Sequence, residues 1–127
     1  MPEQHLFEYA TIRFVPRVER EEFINIGVIV YCKSLRFLGT QFNINRQRID
    51  CFCEQADCSE LEKHLQSFED ISNGVQTAGP IALLEPALRF RWLTAARSTI
   101  VQTSKVHPGL TSDPLKTLHK LHEQMVD

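Results

Sequence analysis

Apolar and polar side chains alternate along the first part of the chain in the way that β-strands require. Residues 6–15 are rich in β-branched and aromatic side chains and end at Pro16, which predicts a first strand. In residues 23–32 every even position is apolar, which predicts that one face of a second strand lies in the core. Because its odd positions are largely apolar too, this strand is predicted in the middle of a sheet. Residues 35–42 predict a third strand, in which Gly39 marks a bulge or a close approach.

Beyond residue 43 the apolar spacing becomes helical, and three helices are predicted. The first has its apolar stripe within residues 58–72 and ends at Asn73-Gly74. The second begins at Pro86, with Trp92 anchored in the core. The third follows Asp113-Pro114, where the aspartate is the cap and the proline is the first helical residue.

A further strand is predicted late in the chain, at residues 98–103. Residues 106–112 predict a loop that turns at Pro108-Gly109. The fold class is therefore α+β. It has an antiparallel sheet of about four strands, a three-strand N-terminal meander plus one late strand, backed by three helices. With 127 residues, the chain is expected to form a single domain over residues 1–127.

Composition and charge limit the classes of partner. The formal net charge is −2, which argues against bulk binding of polyanions but leaves room for a local basic patch. No apolar run approaches the ~18 residues that a membrane span needs, and the polar N-terminal residues do not resemble a signal peptide. We therefore expect a cytoplasmic protein whose cysteines are thiols.

Two stretches of the sequence carry a family resemblance. They are EYATIRFVP at 8–16 followed by EFINIGV at 22–28, and RFRWLTAARSTIVQTSKVHPG at 89–109 followed by Asp113-Pro114. Together they resemble a bacterial family known only as domain of unknown function 3037, over nearly the whole chain. The resemblance implies no established activity. In some genomes members lie beside HipA-like kinase genes, which implies a HipA-like kinase as a partner by family context only.

A first group of candidate ligand-binding residues lies on the N-terminal hairpin. Arg13, Asn25 and Gly27 fall on the same class of face of two strands that should pair. An arginine that is at least half-buried needs a partner, which an anionic ligand would provide. The alternative is that Arg13 is satisfied internally, by backbone carbonyls or by Glu8 or Glu22.

A second group lies between residues 89 and 107, where four basic side chains occur without an acidic one. These are Arg89, Arg91, Arg97 and Lys105. Guanidinium groups beside hydroxyls suit an oxyanion, and Ser98 and Gln102 share one face of the late strand. The alternative is a solvated edge strand. We expect this strand to join the same sheet and to bring Arg97 and Gln102 towards Arg13.

His107 is the one candidate for catalysis. With Ser98 or Ser104 it would form a nucleophile–base pair, although no G-x-S-x-G elbow is present and Asp113 is better explained as a helix cap. An enzyme would use His107 as acid/base and Arg97 to stabilise an oxyanion. That requires the His107 ring to lie within about 10 Å of the arginines and a cleft.

No metal or cofactor is expected. The spacing of a usual zinc site is not found among Cys51, Cys53, Cys58 and His64. The pair His119 and His122 lacks the glutamate of an H-E-x-x-H motif, and we interpret both as surface or boundary residues. The favoured function is a non-catalytic binding or adaptor module for an anionic ligand, a nucleic acid or a partner protein. The alternatives are an enzyme acting on a phosphorylated or nucleic-acid substrate and a purely structural subunit.

Overall fold

The computed structural model of the protein describes residues 3–16, 22–45, 47–49, 58–96 and 99–126. The strands are β1 (His5–Phe14), β2 (Ile24–Cys32), β3 (Phe37–Phe42), β4 (Val101–Thr103) and β5 (His107–Thr111). The helices are α1 (Cys58–Ser72), α2 (Pro86–Leu93) and α3 (Pro114–Val126), with 3₁₀ turns at Gln76–Ala78 and Pro80–Leu83. Residues 47–49 are also helical. No helix in these ranges is long and apolar enough to cross a membrane.

The strands form one antiparallel sheet in the order β3-β2-β1, with β4 and β5 both paired to the free side of β1. Strand β4 runs along the second half of β1, and β5 along the first half. The α+β class, the N-terminal meander and the late strand are thus confirmed.

The predicted loop at 106–112 is wrong, because residues 107–111 form strand β5. The Phe7 ring lies against Gly109, where a Cβ atom would come within 2.6 Å of two ring carbons, so the glycine allows close strand pairing instead of a turn. Pro108 is tolerated because β5 lies at the edge of the sheet, where no further strand needs its missing N–H.

Ser104 bridges the short interruption between β4 and β5. Its backbone N–H donates to the Thr11 carbonyl at 2.9 Å, and its side-chain Oγ accepts from the Thr11 N–H at 2.9 Å. A side chain thereby replaces a hydrogen bond of the ladder, and the two short strands act as one interrupted edge strand beside β1.

A β-bulge in β2 changes which of its residues face which core. Ile12 pairs with Gly27 whereas Arg13 pairs with Asn25, so β2 contains one extra residue at this point. Before the bulge the even positions face the first core, and after it the odd positions Ile29 and Tyr31 do. The predicted single even-numbered core face is therefore wrong, while the predicted central place of β2 is confirmed.

The helices lie on both faces of the sheet. Helices α1 and α2 cover the first core, to which β1 contributes Ala10, Ile12 and Phe14. Helix α3 packs over β2 and β3 on the other face, where Leu118 and Val126 meet a smaller core. Trp92 was expected to anchor α2, but its exposed fraction is 38% and Phe90, at 0%, takes that role. Phe90 stacks on Tyr31 with ring centroids 5.3 Å apart.

Candidate ligand-binding surface

Three polar residues of the predicted site lie side by side across three neighbouring strands. Arg13 on β1 pairs with Asn25 on β2 and with Gln102 on β4. Residues directly opposite each other in antiparallel strands project to the same face of the sheet. The register thus confirms that the late strand joins this sheet and brings Gln102 next to Arg13.

The Arg13 guanidinium is half-buried and stacked, and among the described residues no carboxylate pairs with it. Its Cζ lies 3.9 Å from the centroid of the Phe23 ring, a close cation–π contact. Its buried Nε has no hydrogen-bond partner, and no ion pair links Arg13 to a carboxylate within the described ranges. Burial lowers the pKa of this guanidinium from its ordinary value. Glu8, one of the internal partners considered for Arg13, is bound by Arg91 instead.

Asn25 has a structural role that its position in the sequence does not reveal. Its Nδ2 donates to the carbonyl of Met125 at 3.2 Å, and Arg48 Nη1 donates to the carbonyl of Val126. Both side chains therefore satisfy carbonyls at the C-terminal end of α3, which have no partner within the helix. The buried Asn25 Oδ1, on the strand beside Arg13, has no hydrogen-bond partner.

The side chain of Gln102 makes a local hydrogen bond within the turn that precedes β4. Its Nε2 donates to the carbonyl of Thr99 at 2.9 Å. It also lines a cavity of about 250 Å³ whose other walls include Phe68, Trp92 and Thr99. Arg97 and Ser98, two other residues of the second candidate group, lie outside the described residues.

His107 lies on the same sheet but away from Arg13. It is exposed on β5 opposite Tyr9, and the two ring centroids are 5.4 Å apart. Tyr9 and Arg13 are four residues apart on β1, a separation of about 13 Å at ~3.3 Å per residue. Ser104, a predicted partner of His107, is buried, and its hydroxyl donates to the Lys105 carbonyl at 2.9 Å while accepting from Thr11. The geometry therefore does not place His107, Arg13 and Ser104 in one site.

The residues considered for metal binding are only partly described. Cys51, Cys53 and the side chain of Cys58 lie outside the described residues. Among the residues that are described, no three His, Cys, Asp or Glu groups come together as metal ligands. His119 is exposed as expected, but His122 is buried, with 5% of its surface exposed.

The family assignment rests on a match over nearly the whole chain. The profile described as Protein of unknown function (DUF3037) matches residues 9–126. The chain belongs to this family. No curated protein and no solved structure gives a significant match.

In this DUF3037 chain the sequence reasoning missed a second polar cluster, at the other end of β1. Arg91 donates two hydrogen bonds of 2.8 Å to the two carboxylate oxygens of Glu8, a fork geometry that is among the stronger ion pairs. Burial, and to a smaller extent Glu8, raises the pKa of the neighbouring Tyr31. These three residues line a groove of about 1180 Å³. Arg91 therefore fastens α2 to β1 and does not join Arg13.

Proposed function

We propose that this DUF3037 protein is a non-catalytic binding module that recognises an anionic group through Arg13. The observation that carries the proposal is the buried Arg13 Nε, which has no hydrogen-bond partner although its guanidinium is stacked on Phe23. A buried donor on a cation costs free energy until it is paired. A phosphate or carboxylate oxygen would complete this hydrogen bond and neutralise the charge.

The surroundings of Arg13 favour a ligand that combines an anion with a flat or apolar part. Phe23 has an exposed fraction of 43%, and the rings of Tyr9 and His107 lie further along the same side of the sheet. The net charge of −2 disfavours a long polyanion bound by charge alone. The anionic group would thus belong to a small ligand, a short segment of nucleic acid or a partner protein, and a HipA-like kinase enters on family context alone.

A cytoplasmic site of action is part of the proposal. Cys32 is a buried free thiol, which suits a reducing compartment.

The test is a thermal-shift screen of the purified protein with nucleotides, phosphorylated metabolites and short oligonucleotides, followed by titration calorimetry of the compounds that stabilise it. A ligand that binds the folded state raises the unfolding temperature. We expect Arg13→Gln to weaken binding about tenfold or more, because it removes a charged hydrogen bond. Lys63→Gln removes the same charge from an exposed position of α1 and should bind like the wild type.

Arg13→Lys is a second, conservative variant that keeps the test valid if Arg13→Gln fails to fold. It keeps the charge but loses the guanidinium fork, so we expect intermediate affinity with an unchanged circular dichroism spectrum. A screen in which none of the three compound classes stabilises the wild type contradicts the proposal for small ligands and nucleic acids. Equal affinity of the wild type and a folded Arg13→Gln variant also contradicts it.

A further inference from the structure

Strand β3 ends the sheet on the side opposite β4 and β5, and in the described part of the chain no strand pairs with its outer edge. The Asn43 N–H donates to the Ile26 carbonyl at 2.8 Å. Hydrogen-bonded positions alternate along an antiparallel strand, so the odd positions of β3 bond to β2. The N–H and C=O groups of Leu38, Thr40 and Phe42 therefore point away from β2.

Residues 37–42 lack the sequence features that normally prevent an edge strand from pairing with other chains. Exposed edges are usually protected by charged residues, proline or a bulge. Residues 37–42 contain no charge and no proline, and the pairing with β2 is regular over their whole length. The opposite edge has such protection, because β5 contains Pro108 and the edge is interrupted between β4 and β5.

We propose that β3 pairs with β3 of a second copy of the chain, antiparallel, around a two-fold axis at Thr40. A two-fold axis perpendicular to the sheet keeps each side chain on its own face, so only residues of the same parity can lie opposite one another. The three outward-bonding positions meet this condition. Thr40 lies opposite its own copy, and Leu38 lies opposite Phe42, so each pair can exchange hydrogen bonds in both directions.

The side chains at this junction are compatible with self-pairing. Leu38 and Phe42 are partly buried against the first core, on the same face of the sheet. Opposite one another they form an apolar cross-strand pair at each end of the junction, which stabilises antiparallel pairing. Since β3 has no charged residue, its self-association brings no like charges together along the strand.

The dimer would present two copies of the candidate ligand-binding surface, each with Arg13, Asn25 and Gln102, on the same face of one continuous sheet. The β1 strands of the two copies would be separated by five strand spacings, about 24 Å at ~4.8 Å each. This geometry goes beyond the proposed function, and it would allow one multivalent partner to contact both copies.

The experiment uses opposite charges at the two-fold axis. Wild type should sediment as a dimer at micromolar concentration, and Thr40→Glu and Thr40→Lys should each be monomers because like charges would face each other. An equimolar mixture of the two variants should restore the dimer. Ser67→Glu and Ser67→Lys are the matched controls, since Ser67 is exposed on α1 and lines the cavity beside Gln102, near the β4 edge. Both should remain dimers.

Monomeric wild type, dimeric Thr40 variants, or a mixture of folded variants that stays monomeric would each overturn the proposal. Amide exchange on the wild type tests the same pairing without substitution. The N–H groups of Leu38, Thr40 and Phe42 should exchange more slowly as the protein concentration rises. Exchange rates that do not depend on concentration would also overturn it.

Discussion

At the scale of single residues, two glycines make room for atoms that a Cβ would meet. A Cβ atom on Gly27 would lie 2.6 Å from the Gln41 carbonyl oxygen and 2.6 Å from the Phe42 Cβ. On Gly39 it would lie 2.7 Å from the Phe37 ring. The sequence predicted close approach at Gly39 and left open a backbone approach at Gly27. The structure confirms the backbone approach at Gly27, whereas at Gly39 the closest atoms belong to a side chain of the same strand.

The prediction at this scale is that Gly27→Ala destabilises the fold. The added methyl group meets backbone and Cβ atoms that cannot move independently, so we expect a loss of about 1–3 kcal/mol in the free energy of unfolding. Urea unfolding measures it. Ser67→Ala, at an exposed position of α1, should change the free energy by less than about 0.5 kcal/mol. An unchanged urea midpoint for Gly27→Ala would show that the strands can separate at no cost.

At the scale of elements, the C-terminal end of α3 is held by β2 of the sheet and by helical residues 47–49, which follow β3 in the chain. Asn25 reaches α3 from β2, and Arg48 reaches it from helical residues 47–49. The carbonyl groups at a helix C-terminus carry partial negative charge and attract donors and cations. The two side chains thereby couple the last helix to the N-terminal half of the chain.

We expect Asn25→Asp to destabilise the protein more than Asn25→Ala does. Alanine only removes the donor to the Met125 carbonyl, at a cost of about 1 kcal/mol. Aspartate also places a negative charge beside the negative end of α3, which adds ~0.3–1 kcal/mol. Thermal and urea unfolding at neutral pH would measure the order. Should the two variants prove equally stable, the helix end would not be the determining contact of Asn25.

Helices and strands were predicted well where the spacing of their own apolar residues defines them, and poorly where pairing with a neighbouring strand decides the structure. The spacing of apolar residues identified β1, β2, β3 and the helices α1, α2 and α3. It could not show the bulge between Asn25 and Gly27, because one extra residue in β2 has meaning only against its register with β1. It also missed β5, whose Pro108-Gly109 pair has turn chemistry but pairs with β1 through the Phe7–Gly109 contact.

At the scale of the whole molecule, the two layers are joined where Arg91 of α2 meets Glu8 of β1. The hydrogen bonds that Arg91 donates to Glu8 raise the pKa of Arg91, so its guanidinium stays charged at any ordinary pH. Tyr31 is buried beside it, with 7% of its surface exposed. Burial of the neutral phenol makes the stability of the whole chain sensitive to high pH.

We predict that stability falls above about pH 10 and that Tyr31→Phe reduces the fall. Burial raises the pKa of Tyr31 in the folded chain above its ordinary value of 10.0. The folded state therefore holds the phenolic proton more tightly than the unfolded state. This stabilisation is fully present below about pH 10 and is lost as the pH rises through the folded pKa. Unfolding free energies of wild type and Tyr31→Phe between pH 8 and 11 test it. Tyr9→Phe, as the matched control, should show the wild-type fall, and parallel pH profiles for wild type and Tyr31→Phe would contradict the prediction.

The sequence by itself determined the α+β class, the central place of β2 and the positions of the helices, because side-chain periodicity is a local property of the chain. It also assigned Arg13 and Asn25 to the same class of face of one hairpin, but the direct pairing of the two residues depends on the bulge in β2. Only the tertiary structure decided that Asn25 holds the end of α3, 100 residues away, and that Glu8 belongs to Arg91, 83 residues away, and not to Arg13. Such contacts depend on how the layers pack, and no pattern of neighbouring residues records which side chains that packing will bring face to face.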